Sequence, residues 1–262
     1  MFEFLLPPRQ HRKRRSSPRK ASPPEELSLP GGALVFSLQR DHCRTLRLTV
    51  KPDGSVKVKA PARVALDDIL RFVSARLDWI RKKQAFFLEH RGSAVDYRNG
   101  GTVLFLGRPF LLSLLPTKRR SKPRLVGSRL ELPCRSDAAE HIEAACKAWR
   151  LGLAKIVLSR RLIRLDAQAR TIFQDRASIS SLTVRSLKRR WGSCSVRGEI
   201  TLAAQLIELP LPLIDYVLCH ELCHLRHMNH GPAFHAALLR MLPDAREREK
   251  AVRIWSLEHP RT

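Results

Sequence analysis

The sequence predicts an α+β protein in which a strand-rich N-terminal part precedes a helical C-terminal domain. Three observations carry that reading. Short apolar runs bounded by Pro, Gly and Asp fill much of residues 33–132. Helical periodicity dominates from residue 138 onward. A strand pair interrupts those helices just before the most apolar of them.

Taken in order, residues 33–38, 45–50 and 55–60 read as strands, and Pro52-Asp53-Gly54 supplies a hairpin turn between the last two. Residues 67–90 read as one helix, with apolar Ile69, Leu70, Val73, Leu77, Ile80 and Phe87. Strands follow at 102–106 and 110–115, joined through Gly107-Arg108-Pro109, and at 129–132. A long helix, continuous or interrupted, is expected over 138–165 and a strand pair over 181–187 and 199–207. Helices at 212–227 and 232–242 and a last piece reaching Leu257 close the chain. The expected organisation is a basic flexible tail (1–30), a strand-rich subdomain with one helix (31–135) and a helical domain (136–262). No internal repeat is visible.

Composition narrows the classes of function. Of 262 residues, 44% are hydrophobic, too many for a wholly disordered chain. Lys and Arg total 49 against 24 Asp and Glu, a net charge of +25. Polyanions are therefore the natural electrostatic partners. The cluster His11-Arg12-Lys13-Arg14-Arg15 lies in a Ser- and Pro-rich stretch that reads equally as a nucleic-acid-binding arm or a solvated leader. No apolar run reaches the 18 or so residues of a membrane span, and the short apolar start precedes its basic cluster, the reverse of a secretory signal. The six cysteines, at 43, 134, 146, 194, 219 and 223, show no disulfide pattern. The expected setting is a reduced cytoplasm.

The segment that carries chemistry is His220-Glu221-Leu222-Cys223-His224. Two imidazoles one helical turn apart fall about 40° from each other and can converge on a single ion. Catalytic zinc usually takes a third protein ligand and keeps one position open. The candidates are His227, His230 and His235. His227 lies roughly 10 Å along the axis from His220, too far for a continuous helix to wrap. His230 precedes Gly231-Pro232, where the chain must turn and start a new helix, so it can return to the ion from another direction. His230 is the favoured third ligand. Glu221 points elsewhere and suits a base that takes a proton from zinc-activated water as an amide carbonyl is attacked. Cys219 and Cys223 read as packing residues.

The stretch Lys188-Arg189-Arg190-Trp191-Gly192-Ser193-Cys194-Ser195, with Gly198-Glu199-Ile200 and with residues 214–234 around the His pair, resembles the bacterial YgjP-like zinc metallopeptidases. These are similar in turn to SprT- and WLM-type proteases, some of which degrade proteins crosslinked to DNA. The resemblance runs from about residue 41 to 257 and includes Arg47 to Gly54 and Asp78-Trp79-Ile80. It implies a zincin-like fold, one zinc ion bound by His220, His224 and His230, and Glu221 as catalytic base. Two positions depart from the family pattern: Ala203-Ala204 stands where an Asn is expected, and His235 where a Trp is usual. Neither removes a ligand or the base.

Two readings from different classes follow. One is a zinc-dependent peptidase acting on a protein or peptide, including proteins associated with nucleic acid through the basic surface and tail. The other is a basic nucleic-acid-binding protein whose zinc is structural or vestigial. Arg189-Arg190-Trp191 reads either as a stacking surface for single-stranded nucleic acid or as a loop supporting the active helix. Gly192, Ser193 and Ser195 are candidate backbone N–H donors to a substrate carbonyl. The strand at 199–207 is the expected sheet edge for an extended peptide. Substrate preference and oligomeric state are not legible.

Overall fold

The computed structural model describes residues 23–90, 92, 95–117, 121–175 and 177–259. Most of the expected basic tail, residues 1–22, lies outside the described residues, as does the basic stretch 118–120. The chain divides into two compact units, with the division after Gly92.

The first unit contains β1 (Glu25–Ser28), β2 (Val35–Asp41), β3 (Arg47–Val50) and β4 (Val56–Pro61), followed by α1 (Leu66–Ser74) and α2 (Leu77–Glu89). The sheet order is β1-β2-β4-β3, with β2 and β4 parallel and β3 and β4 forming the expected hairpin. The hairpin turn is held by the Asp53 carboxylate, which accepts from the Ser55 backbone N–H at 2.8 Å and its hydroxyl at 2.6 Å. Gly54 sits at φ 83°, a conformation that disfavours a side chain. Phe36, Leu38, Val58, Ile69, Val73 and Ile80 are buried. The single helix expected over 67–90 is two helices. The ladder tightens at Arg76, whose N–H bonds the Val73 carbonyl three residues back, and no Gly or Pro marks the break.

The second unit opens with β5 (Thr102–Phe105), β6 (Arg108–Pro116), β7 (Arg124–Val126) and β8 (Arg129–Cys134) in the order β5-β6-β8-β7. Helix α3 (Ala139–Ile172) then runs unbroken for 34 residues. It passes through Gly152, where a side chain would meet nothing. The strands β9 (Ser181–Arg185), β10 (Gly192–Cys194) and β11 (Glu199–Ala203) form a second sheet in the order β10-β11-β9, with β9 and β11 parallel and β10 antiparallel to β11. Helices α4 (Leu211–Cys223), α5 (Pro232–Met241) and α6 (Ala245–Glu258) complete the unit. Leu158 and Leu162 of α3, Ile200 and Leu202 of β11, Val217 and Leu222 of α4, Phe234 and Val252 share one core.

Two features position α4. The β5–β6 turn is Leu106-Gly107, both at positive φ, and not the Gly107-Arg108-Pro109 expected. Its two N–H groups donate to the carbonyls of Ile207 and Glu208 at 2.7 and 2.9 Å, and Gly107 lies so close to Pro210 that a Cβ would stand 2.7 Å from Cγ. Residues 102–108, grouped by sequence with the N-terminal strands, therefore brace the chain entering α4. The expected strand 199–207 also ends early, at Ala203. Residues 204–207 are all buried, which an alternating strand cannot achieve beside one core, and the chain winds into a 3-10 turn (Ala204–Glu208). Consequently β11 is the central strand, and the edge beside α4 is β10, correcting the expected peptide-accepting edge. Among the described residues no helix is long and apolar enough to cross a membrane.

Candidate metal centre

Helix α4 starts where Pro210 and Pro212 set the first turn and ends at Cys223, four residues short of the expected His227. The structure buries residues 216–223 without exception, so the helix is enclosed on all sides. Asp215 is compensated by Arg161 of α3, whose Nη2 donates to Oδ2 at 2.6 Å while Nε donates to Oδ1. That fork pins α4 to the long helix.

His220 and His224 project from the last turn of α4. The chain then turns, with the N–H groups of Leu225 and Arg226 bonding back to the carbonyls of Leu222 and Cys223, and His230 arrives just before α5. The His220 Nε2 lies 3.2 Å from that of His224 and 3.0 Å from that of His230. Phe234 of α5 packs on all three rings, with centroids 4.6–4.8 Å away. His224 Nδ1 donates to the His227 carbonyl at 3.0 Å, which leaves its Nε2 as an acceptor. Burial, with repulsion from the neighbouring imidazoles, holds His220 well below the usual imidazole range and lowers His230. Burial brings His224 down to about 4. All three present neutral nitrogens at neutral pH.

The donor set fits a metal ion. Nitrogens bound to one ion at 2.0–2.1 Å in tetrahedral directions lie about 3.3 Å apart, close to the two separations observed. Among the described residues this is the group of His, Cys, Asp and Glu side chains that could hold one. His227 contributes its carbonyl, and His235 is exposed on α5 with its ring against Phe234.

Glu221 is wholly buried, and neither carboxylate oxygen has a hydrogen-bond partner in the protein. Burial pushes its carboxyl up to about 8, opposed in part by the Arg190 charge. An unpaired carboxyl in a packed core is costly and marks a place where something other than stability is served.

The Trp191-Gly192-Ser193-Cys194 motif lies across from it. Trp191 is 1% exposed and its Nε1 donates to the Ser256 hydroxyl at 3.2 Å, so it supports the core and cannot stack on a nucleic-acid base. The Ser195 N–H is spent on the Glu199 carbonyl, and the Ser195 hydroxyl donates to the Glu199 carboxylate, closing the β10–β11 turn. That removes Ser195 N–H as a donor to substrate. Because Trp191 O and Ser195 N bond to β11, the antiparallel alternation turns the backbone groups of Gly192 and Cys194 to the outer edge. Ala203 is fully buried at the end of β11, its N–H donating to Trp191 O at 2.8 Å.

A buried helix carries two His one turn apart with a Glu between them, and a third His folds back beside them, in a group that could hold a metal ion. The chain belongs to the YgjP-like family: the YgjP-like metallopeptidase domain matches residues 44–253. Among solved structures, the metallopeptidase zymogen abylysin of Pyrococcus abyssi is 24% identical, with a TM-score of 0.33 over 37% of this chain and 97% of that one. The zymogen jannalysin of Methanocaldococcus jannaschii is 20% identical, with a TM-score of 0.30 over 35% and 93%. No curated protein matches the chain. The protein is a hydrolase of the metallopeptidase class, with a catalytic metal and a protein or peptide substrate.

Proposed function

We propose that the protein hydrolyses peptide bonds with one zinc ion held by His220, His224 and His230 and with Glu221 as general base. The observation that carries this is the convergence of three neutral imidazole nitrogens beside a fully buried carboxylate. Zinc, when bound, supplies a Lewis acid that polarises the scissile carbonyl and acidifies water. The chain's own residues do the rest. His224 is held in one tautomer by the His227 carbonyl, and Phe234 fixes the three rings. Glu221, buried beside the His pair, accepts a proton from the attacking water as its carboxylate and passes it to the departing amine. The outer edge of β10, at Gly192 and Cys194, suits an extended peptide adding as a further strand.

The charge of +25, with exposed Lys188, Arg189 and Arg190 leading into β10, supports substrates associated with nucleic acid. None of the six cysteines, all among the described residues, is in a disulfide, which supports a reducing, cytoplasmic setting. The alternative is a nucleic-acid-binding protein with a structural zinc, and the buried, unpaired Glu221 argues against it, since a structural site needs no base. The deciding experiment measures zinc content and casein cleavage for wild type, His230→Ala and Glu221→Gln. Zinc near one per chain, lost in the first variant, with cleavage lost in the second while zinc stays, supports the peptidase. Zinc-free wild type after metal-replete preparation, or full activity in Glu221→Gln, overturns it.

A further inference from the structure

The Glu221 side chain lies in a slot whose floor is Gly192. A Cβ built on Gly192 would stand 2.5 Å from Glu221 Oε1 and 2.9 Å from both Cδ and Cγ. These are the three nearest atoms, so the missing methyl group is the space the carboxylate uses. Gly192 has no positive φ, so backbone conformation does not explain the glycine.

Neither side of the slot can easily retreat. Gly192 is buried in β10 and paired with Leu202, and its neighbour Trp191 is anchored through the Ala203 N–H and the Ser256 hydroxyl. Glu221 lies near the end of a helix enclosed on every side, between His220 and His224, and is 0% exposed. The conflict would involve the stem of the side chain as well as its tip, so a rotation of the carboxylate alone does not relieve it.

We infer that Gly192 is a positioning residue for the reaction: its lack of a side chain sets where the Glu221 carboxylate stands relative to the three histidines. This rests on the reading of Glu221 as the base and adds to it the reason for a glycine in the Trp191-Gly192-Ser193-Cys194 motif. Any side chain at 192 would displace the carboxylate while leaving the imidazoles in place. A displacement near 1 Å in a catalytic group can cost on the order of a hundredfold in rate.

The first test needs no activity. Thermal unfolding is measured on the metal-free full chain for wild type, Gly192→Ala, Glu221→Ala and the double variant. Gly192→Ala is expected to lower the midpoint by roughly 3 °C or more when Glu221 is present. It should leave the midpoint unchanged or raise it when Glu221 is Ala, since the three conflicting atoms are then gone. Should Gly192→Ala alone fail to fold, recovery of folding in the double variant makes the same point. An equal loss in both backgrounds overturns the proposal. Gly152→Ala, where the new methyl meets nothing, is the control and should not destabilise.

The second test uses the zinc-loaded enzyme on casein. Gly192→Ala should lower kcat about ten- to a hundredfold, with KM within about twofold and zinc content unchanged. In a Glu221→Asp background, where the carboxylate is one methylene shorter, the further loss should be under about threefold. Loss of zinc, a change confined to KM, or equal losses in both backgrounds overturns the positioning role. Full activity of Glu221→Gln would instead overturn the base reading while leaving the stability coupling intact, so the two failures are distinguishable.

Discussion

His224 donates from Nδ1 to the backbone carbonyl of His227, 3.0 Å away, and this bond decides which nitrogen faces His220 and His230. His227 thus acts through its backbone, and its imidazole lies outside the group that could hold an ion. The same turn carries the chain from the end of α4 to His230, so the orientation of His224 and the placement of His230 depend on one short loop.

Substitution should separate these roles. His230→Ala is expected to reduce zinc to a small fraction of one per chain. His227→Ala, which keeps its carbonyl, should retain nearly full zinc, and so should His235→Ala. Elemental analysis after dialysis against a weak chelator reads the result. Zinc loss in His227→Ala equal to that in His230→Ala would show that the imidazole matters and that the assignment is wrong.

The Arg161–Asp215 fork joins α3 to α4 five residues before His220. Both side chains are largely buried, and the bonding raises the Arg161 pKa still further. Asp215→Ala should cost about 1–3 kcal/mol, because it leaves a partly buried guanidinium unpaired. Thermal unfolding of the metal-free protein checks this, with Arg161→Ala/Asp215→Ala expected to lose less than the sum of the single variants.

Trp191 was the residue whose role the sequence left open, and burial decides it. Trp191→Ala should destabilise by about 3–5 kcal/mol through the cavity it leaves. Trp191→Phe should cost nearer 1–2 kcal/mol, from lost volume and the lost bond to Ser256. Neither should specifically weaken binding to single-stranded nucleic acid under conditions where the variant is folded. A large loss of such binding in a stably folded Trp191→Phe would return the ring to the surface.

The outline of this fold was legible where periodicity and turn chemistry act locally. The Pro52-Asp53-Gly54 hairpin depends on an Asp carboxylate and a glycine within four residues. The His220–His224 spacing depends only on helical pitch. What was not legible depends on contacts distant in sequence. The break at Arg76 has no local marker, and the end of β11 at Ala203 follows from burial of four consecutive side chains against α3 and β5. Chain order also misled: β10 and β11 are consecutive, yet β11 pairs on its other side with β9, so the edge falls to a three-residue strand. The approach of Gly192 to Glu221 spans 29 positions, and no spacing rule reveals it.

The pH dependence of the metal-free protein follows from two opposed shifts. Glu221 binds its proton more tightly folded, at about 8, than in its ordinary range near 4.5. Between those values the folded chain carries a proton that the unfolded chain has lost, so stability falls as pH rises through that window. The histidines act in the opposite sense. His220, His224 and His230 are lowered from 6.5, so below that value the unfolded chain binds protons that the folded one excludes, and stability falls with acid. Three histidines outweigh one glutamate in the region of overlap, which puts the stability maximum of the chelated wild type near pH 6.5. Glu221→Gln cannot ionise, so its stability should stay level between pH 6.5 and 8 where wild type declines, and the variant should be the more stable at pH 8. The measurement is a set of unfolding midpoints for both proteins in chelator from pH 5 to 9. Parallel curves above pH 6.5 would show that the Glu221 carboxyl is not held neutral by burial.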